Sequence, residues 1–268
     1  MILQNKNAII YGAGGSIGGA VSRAFANAGA KVFLSGRNIS PVQKVADEII
    51  ASGGIAEASV VDAMNEEAIN NYTDIVTRKA GTVDILFNAI GFQDTQGKTL
   101  TDMSLADFIR PIAIAMETHF LTATAAARVM MKQRSGVILT LTATPGGIGY
   151  PMVGGFGPTC CAIEGFSRDL AAEIGPYGIR VVNIRSAGSP DSRPFVDAMA
   201  NDSEGTSFFI RKLEEDTMLK KLPSMADIAN IALFLSSGMA AKITGVTIDV
   251  TCGTTSGLNY KVPSIPFR

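Results

Sequence analysis

The sequence predicts an α/β chain, a single doubly wound domain on a sheet of about seven parallel strands. Three observations carry that prediction. Short apolar runs alternate with longer amphipathic stretches along the whole chain. The short runs lack the strict polar–apolar alternation of a strand with one wet face, and a mean hydropathy of +0.25 suits strands covered on both faces. A glycine-rich segment, 12–19, stands directly between the first apolar run and the first amphipathic stretch.

Taken in order, the first strand is 7–11 and the first helix 16–28. A second strand, 31–35, leads to a helix over 40–51, and a third, 55–61, to a helix over 65–79. The fourth strand, 83–88, precedes the longest helical pattern, 111–134. Pro111 is expected in the first turn of that helix, where its missing N–H costs nothing. Strand 136–142 and helix 156–175 follow, then strand 179–185, helix 224–235 and a last strand, 246–250. No repeat, low-complexity tract or linker divides residues 1–268, so one domain is expected. The stretch 188–221 interrupts the rhythm with Pro190, Pro194, a polar cluster at 201–205 and a charged run at 211–216. It reads either as a solvated surface insertion or as a lid over a substrate cleft.

Composition narrows the function. The chain has 268 residues, of which 47% are hydrophobic, enough for a sizeable core. Lys and Arg total 23 against 24 Asp and Glu, for a net charge of -1 with no basic run. Nucleic acid and anionic membrane are therefore not expected partners. No apolar run reaches the roughly 20 residues that span a bilayer. The start, MILQNKNAIIYGAGG, lacks a basic region followed by a long apolar stretch, and a cytoplasmic protein is expected. Cys160, Cys161 and Cys252 form no disulfide framework, and with His119 the only histidine no metal site is expected.

The segment Gly12-Ala13-Gly14-Gly15-Ser16-Ile17-Gly18 follows the strand ending at Tyr11 and precedes a helix. Glycines let the backbone turn sharply and let a pyrophosphate approach without meeting a Cβ. The helix beyond points free N–H groups at the anion. A glycine triplet alone also suits an ordinary turn. Between a first strand and a helix it points to dinucleotide binding by Gly12, Gly14, Gly15, Ser16, Ile17 and Gly18.

Here the chain resembles the short-chain dehydrogenase/reductase family, over nearly its whole length. That family's turn reads Thr-Gly-x-x-x-Gly-x-Gly; Tyr11 stands at the Thr, Gly12 and Gly18 match, and Ser16 occupies the middle glycine. Asp62-Ala63 is similar to the pair that meets adenine. Asn88 matches the strand motif Asn-Asn-Ala-Gly, in which Ala89 and Ile90 are substituted. Ile163-Glu164-Gly165-Phe166, Gly178-Ile179-Arg180-Val181 and Ile243-Thr244-Gly245 continue the likeness. The resemblance implies a Rossmann-like fold and a nicotinamide dinucleotide bound by the glycine turn, Asp62, Ala63, Asn88 and Ala89. It also implies assembly as a homodimer or homotetramer through helices 111–134 and 156–175.

At the end of the second strand, dinucleotide folds place a carboxylate on the adenine ribose. That position is Gly36, and Arg37 follows with a guanidinium fork suited to a phosphate. The expected cofactor is NADP(H); a solvated surface arginine is the alternative.

In this family a tyrosine exchanges the proton, a lysine four residues on lowers its pKa, a serine orients the substrate oxygen, and an asparagine anchors a relay water. Residues four apart share a helical face, so tyrosine and lysine can both face the cofactor. Alignment on 163–166 puts the tyrosine at Phe156 and the lysine at Cys160. Ala143 falls at the serine and Ala115 at the asparagine. All four polar groups are absent. His119, one turn after Ala115, and Thr142 are the candidate replacement catalytic residues; Thr144, with Ala143, Phe156 and Cys160, is expected to line the substrate cleft. Cys160 and Tyr150 read more simply as packing residues. Three functions stay open: an oxidoreductase with an unknown small-molecule substrate, a non-catalytic nucleotide sensor or silent subunit, and a non-redox enzyme reusing the cleft.

Overall fold

The structure is a computed structural model, and it describes residues 1–257. Residues 258–268 of the expected domain lie outside the described residues. Seven strands, β1 (Asn7–Tyr11), β2 (Lys31–Gly36), β3 (Ile55–Val60), β4 (Ile85–Asn88), β5 (Gly136–Ala143), β6 (Ile179–Ser186) and β7 (Val246–Val250), form one parallel sheet. Their spatial order is β3-β2-β1-β4-β5-β6-β7. Three helices, α1 (Ser16–Asn27), α2 (Ile39–Ala51) and α3 (Glu66–Ala80), connect the first four strands. The long α4 (Leu105–Gln133) and α5 (Phe156–Ile174) flank β5. Beyond β6 come α6 (Arg193–Asn201), α7 (Ser203–Glu215) and α8 (Met225–Ser236), and α9 (Thr254–Gly257) closes the described chain.

The alternation of side chains along β1 explains why both faces are covered. Ala8 and Ile10 point into a layer with Val21 and Phe25 of α1 and Ile228 and Leu235 of α8. Ile9 and Tyr11 point the other way, onto Ile69 and Val76 of α3 and Ala123 and Met130 of α4. Burying each large apolar side chain contributes about 1.5–3 kcal/mol, so a strand with no polar face gains on both sides. The sheet order reverses between β1 and β4, where Tyr11 pairs with Asn88. Ligands of open α/β sheets bind beyond the carboxyl ends of the strands at such a switch.

One expectation is corrected. Pro111 is not in the first turn of its helix but its seventh residue. The start is set six residues earlier, where the Ser104 hydroxyl accepts a hydrogen bond from the Asp107 N–H at 3.1 Å. Pro111 is buried where α4 crosses the head of α5, and a Cβ on Gly155 would lie 2.9 Å from its Cγ and 2.0 Å from the Phe108 carbonyl oxygen. Tertiary packing outweighs the lost helical hydrogen bond there. The stretch 188–221 carries α6 and α7. Asp202 in its polar cluster caps α7 by accepting from the Gly205 N–H at 2.9 Å, and Phe195 of α6 stacks on Phe209 of α7 with ring centroids 6.2 Å apart.

Candidate functional site

The switch-point crevice is built first by backbone. Gly12 takes a φ of +74°, and a Cβ there would fall 2.4 Å from the Ala89 carbonyl oxygen. A Cβ on Gly18 would fall 2.3 Å from the Gly12 carbonyl oxygen, so both positions demand glycine. Ala13 donates its N–H to Ser35 of β2 at 3.1 Å, and Ala89 donates to Tyr11 at 3.0 Å, stitching the turn to both neighbouring strands. The helix α1 opens with no acidic residue and no side-chain cap in its first turn. Its free N–H groups are therefore available to an anion.

Two cavities meet at this turn. One, of about 290 Å³, is lined by Gly12, Gly36, Arg37, Asp62, Ala63 and Ile90, among others. Asp62 holds its own rim by accepting from the Met64 N–H at 3.1 Å. The exposed Arg37 has no hydrogen bond or ion pair among the described residues. The other cavity, about 490 Å³, is bounded by Gly15, Ser16, Ile17, Gly18 and Ala89 on one side and by Phe92, Leu141, Ala143, Phe156 and Ser186 on the other. Phe92 and Phe156 pack ring to ring at 6.0 Å. Asp94 and Arg193 are the ionisable residues on its lining among the described residues. The sequence-predicted residues of the glycine turn, Arg37, Asp62 and Ala63 are thus gathered in one crevice. Asn88 lies buried beneath it, donating to Thr122 at 3.0 Å and accepting from the Ile90 N–H at 3.0 Å. It positions the β4 end and does not face the opening.

Of the two replacement catalytic residues, Thr142 borders this cleft and His119 does not. His119 is buried beneath Phe92, ring centroids 6.2 Å apart, and does not line the cleft. Its Nδ1–H donates to the Ala115 carbonyl oxygen at 2.9 Å, leaving Nε2 unprotonated and without a partner. Burial pushes its pKa down to about 4, against the smaller opposing effect of the Ala115 bond. An imidazole neutral at pH 7 has no proton to give from Nε2. Thr142 is likewise committed. Its hydroxyl donates to Glu164 Oε1 at 3.0 Å and accepts from Asn183 Nδ2 at 2.7 Å. Thr144 donates to the Ser186 carbonyl at 3.3 Å. Cys160 is fully buried behind the cleft floor, with its thiol pushed up to about 12 by burial; Tyr150 lies in a separate hollow beside Cys161.

Behind the floor lies a charged network that no single stretch of sequence announces. Arg185 of β6 donates twice to Glu164 of α5, from Nε to Oε1 at 3.0 Å and from Nη2 to Oε2 at 2.6 Å. Its Nη1 reaches both Asp249 oxygens of β7, at 3.0 and 3.1 Å. Gly147 packs so closely on the guanidinium that a Cβ would lie 2.6 Å from Nη1. The available sequence cue is Arg185 near the end of β6, a strand that also carries Arg180 and Asn183.

The fold is shared with known proteins. The profile of a family described as enoyl-(acyl carrier protein) reductase matches residues 12–255. The 7alpha-hydroxysteroid dehydrogenase of Escherichia coli strain K12 is 33% identical over 257 residues, covering 96% of this chain and 97% of the relative. The chain belongs to the short-chain dehydrogenase/reductase family. The 3-oxoacyl-(acyl-carrier-protein) reductase FabG of Aquifex aeolicus is 30% identical, covering 94% of this chain and 98% of the relative. Among solved structures, a 7 alpha-hydroxysteroid dehydrogenase complexed with NADH and 7-oxo glycochenodeoxycholic acid superposes with a TM-score of 0.84. It has 30% identity, and coverage is 96% of both chains. An NAD+-bound xylitol dehydrogenase has a TM-score of 0.87 at 24% identity, covering 94% of this chain and all of that one, and bears on the fold alone. Oxidoreductase chemistry is the family's activity, and nicotinamide nucleotides are bound by its members. Among the described residues, no helix is long and apolar enough to cross a membrane.

Proposed function

We propose that the chain is an NADP(H)-binding oxidoreductase of the family, working without the family's proton-transfer residues. The observation that carries the nucleotide reading is Arg37, unpaired on the rim of a cavity that also holds Gly36, Asp62 and Ala63. A 2′-phosphate there meets a guanidinium fork and no carboxylate at position 36. Gly12, Gly14, Gly15, Ser16, Ile17 and Gly18 would hold the pyrophosphate, with Asp62 and Ala63 at the adenine and Ala89 beside the nicotinamide half. When bound, the nicotinamide supplies or accepts the hydride. The chain's own part is then to exclude water with Phe92, Phe156 and Leu141 and to orient an apolar carbonyl or alcohol against them.

Ala143, Phe156 and Cys160, which stand at the family's serine, tyrosine and lysine, offer the reacting oxygen no acid. With His119 neutral and Thr142 engaged, the proton at that oxygen comes from water, and turnover of simple ketones is slow. The exposed Phe120 on α4, packed on Phe166 of α5 at 6.4 Å, supports pairing of two copies as a dimer or tetramer. Three free cysteines fit a reducing cytoplasm. Calorimetric titration tests the core of the reading. NADPH should bind at least tenfold more tightly than NADH, and Arg37→Ala should remove that preference. Equal affinities overturn the NADP(H) assignment, and no binding of either nucleotide overturns the function.

A further inference from the structure

We propose that Arg193 is a second phosphate-binding cation of the nucleotide site, aimed at the pyrophosphate and held in place by Ser16. The proposal rests on the reading of the crevice as a dinucleotide site.

Arg193 is the first residue of α6, 177 positions from Ser16 in sequence, yet its backbone N–H donates to Ser16 Oγ at 2.9 Å. Ser16 opens α1, at the position where the family's turn carries its middle glycine. A glycine there has no acceptor to offer, so this latch depends on the serine. It ties the head of the α6–α7 segment to the phosphate-binding turn.

The latch leaves the Arg193 side chain where two cavities join. One is the cleft bounded by Phe92 and Phe156. The other, of about 420 Å³, lies on the outer side of Gly14 and Gly15, with Ser40 and Lys44 of α2 across from them. Gly15, Ser16 and Arg193 border both, and Arg193 is the charged one of the three. Its guanidinium is exposed and has no hydrogen bond or ion pair among the described residues. An anion seated on the free N–H groups at the start of α1 therefore has this cation beside it.

Arg37 and Arg193 then serve opposite ends of one ligand. Arg37 borders the adenosine-side cavity and not the other two; Arg193 borders those two and not the adenosine side. Arg37 acts on a group present only in NADP(H). Arg193 acts on the diphosphate that NADH and NADPH share. The same cation on the cleft rim could instead take an anionic substrate, so the test separates the two sources.

The experiment is calorimetric titration of the full chain and its Arg193→Gln variant with NADPH, NADH, ADP-ribose and 2′-AMP. Loss of a charge-assisted contact should weaken NADPH, NADH and ADP-ribose by about tenfold each and leave 2′-AMP unchanged. Arg37→Ala should give the complementary pattern, with NADPH and 2′-AMP weakened and NADH spared. Ser16→Gly, a residue the family's turn accommodates, should lower NADPH affinity several-fold. It should also abolish nucleotide protection of α6 and α7 against limited proteolysis. Unchanged affinity for NADH, NADPH and ADP-ribose in Arg193→Gln overturns the proposal and leaves the cation to an anionic substrate. Absence of nucleotide binding by the unaltered protein overturns the dinucleotide reading itself, and this proposal with it.

Discussion

Acidification should destabilise the fold through His119, by an amount that its burial determines. The imidazole is enclosed by α4 and Phe92, donates Nδ1–H to Ala115 and leaves Nε2 bare. Burial holds its pKa at about 4, against an ordinary value of 6.5. On unfolding the ring returns to water and to that ordinary value. The unfolded chain thus takes up the proton first. The stabilisation from keeping His119 neutral is fully present above pH 6.5 and is lost as pH falls toward 4. The separation of the two values corresponds to about 3 kcal/mol at the acid limit and about 2 kcal/mol at pH 5. For a chain of this size, about 2 kcal/mol is roughly 4–8 °C in Tm. Other groups titrate over the same range, so the assay is a difference. Urea unfolding of the unaltered protein and of His119→Leu, at pH 7.5 and pH 5, should show the stability gap between them shift by about 2 kcal/mol in favour of the variant. A gap that does not change with pH would refute the reasoning. So would an NMR titration of the His119 Cε1 proton centred near 6.5 in the folded protein.

The charged network behind the cleft makes a second prediction. Arg185→Met leaves Glu164 buried with Thr142 as its remaining donor, at a cost of about 3–5 kcal/mol by urea unfolding. Adding Glu164→Gln should recover part of the loss, and strictly additive losses would contradict the pairing. Thiol reactivity should divide the adjacent cysteines. Cys161 is exposed and Cys160 is fully buried with its thiol pushed up to about 12; mass spectrometry after brief maleimide treatment should find Cys161 modified and Cys160 intact.

The fold was legible because each strand declares itself locally. An apolar run of five residues such as 7–11 has no polar face to hide, and the glycines at 12 and 18 answer to backbone clashes that any dinucleotide turn imposes. That Arg37 and Asp62 border one cavity was legible for the same reason, since both lie within a few positions of strand ends. Long-range packing was not legible. Pro111 enters a helix interior because Gly155, 44 positions on, leaves room for its ring. The polar cluster 201–205 does not announce that Asp202 caps α7. His119 has a helical neighbour in Ala115 that the sequence shows, but its lowered pKa comes from complete burial, which the sequence does not show. Arg185 finds Glu164 and Asp249 across three elements, and Arg193 finds Ser16 across 177 positions.

In the proposed function the cleft keeps hydride geometry while lacking a proton donor. The most direct test is the rate of NADPH-dependent reduction of an apolar ketone by the unaltered protein and by a variant carrying Ala143→Ser, Phe156→Tyr and Cys160→Lys. The Ala143→Ser, Phe156→Tyr pair is measured alongside to avoid burying a lysine. Slow reduction by the unaltered protein, with a gain of about 10²–10⁴ in kcat once the acid is restored, is the predicted result. Rapid reduction by the unaltered protein, with no gain in either variant, would contradict it.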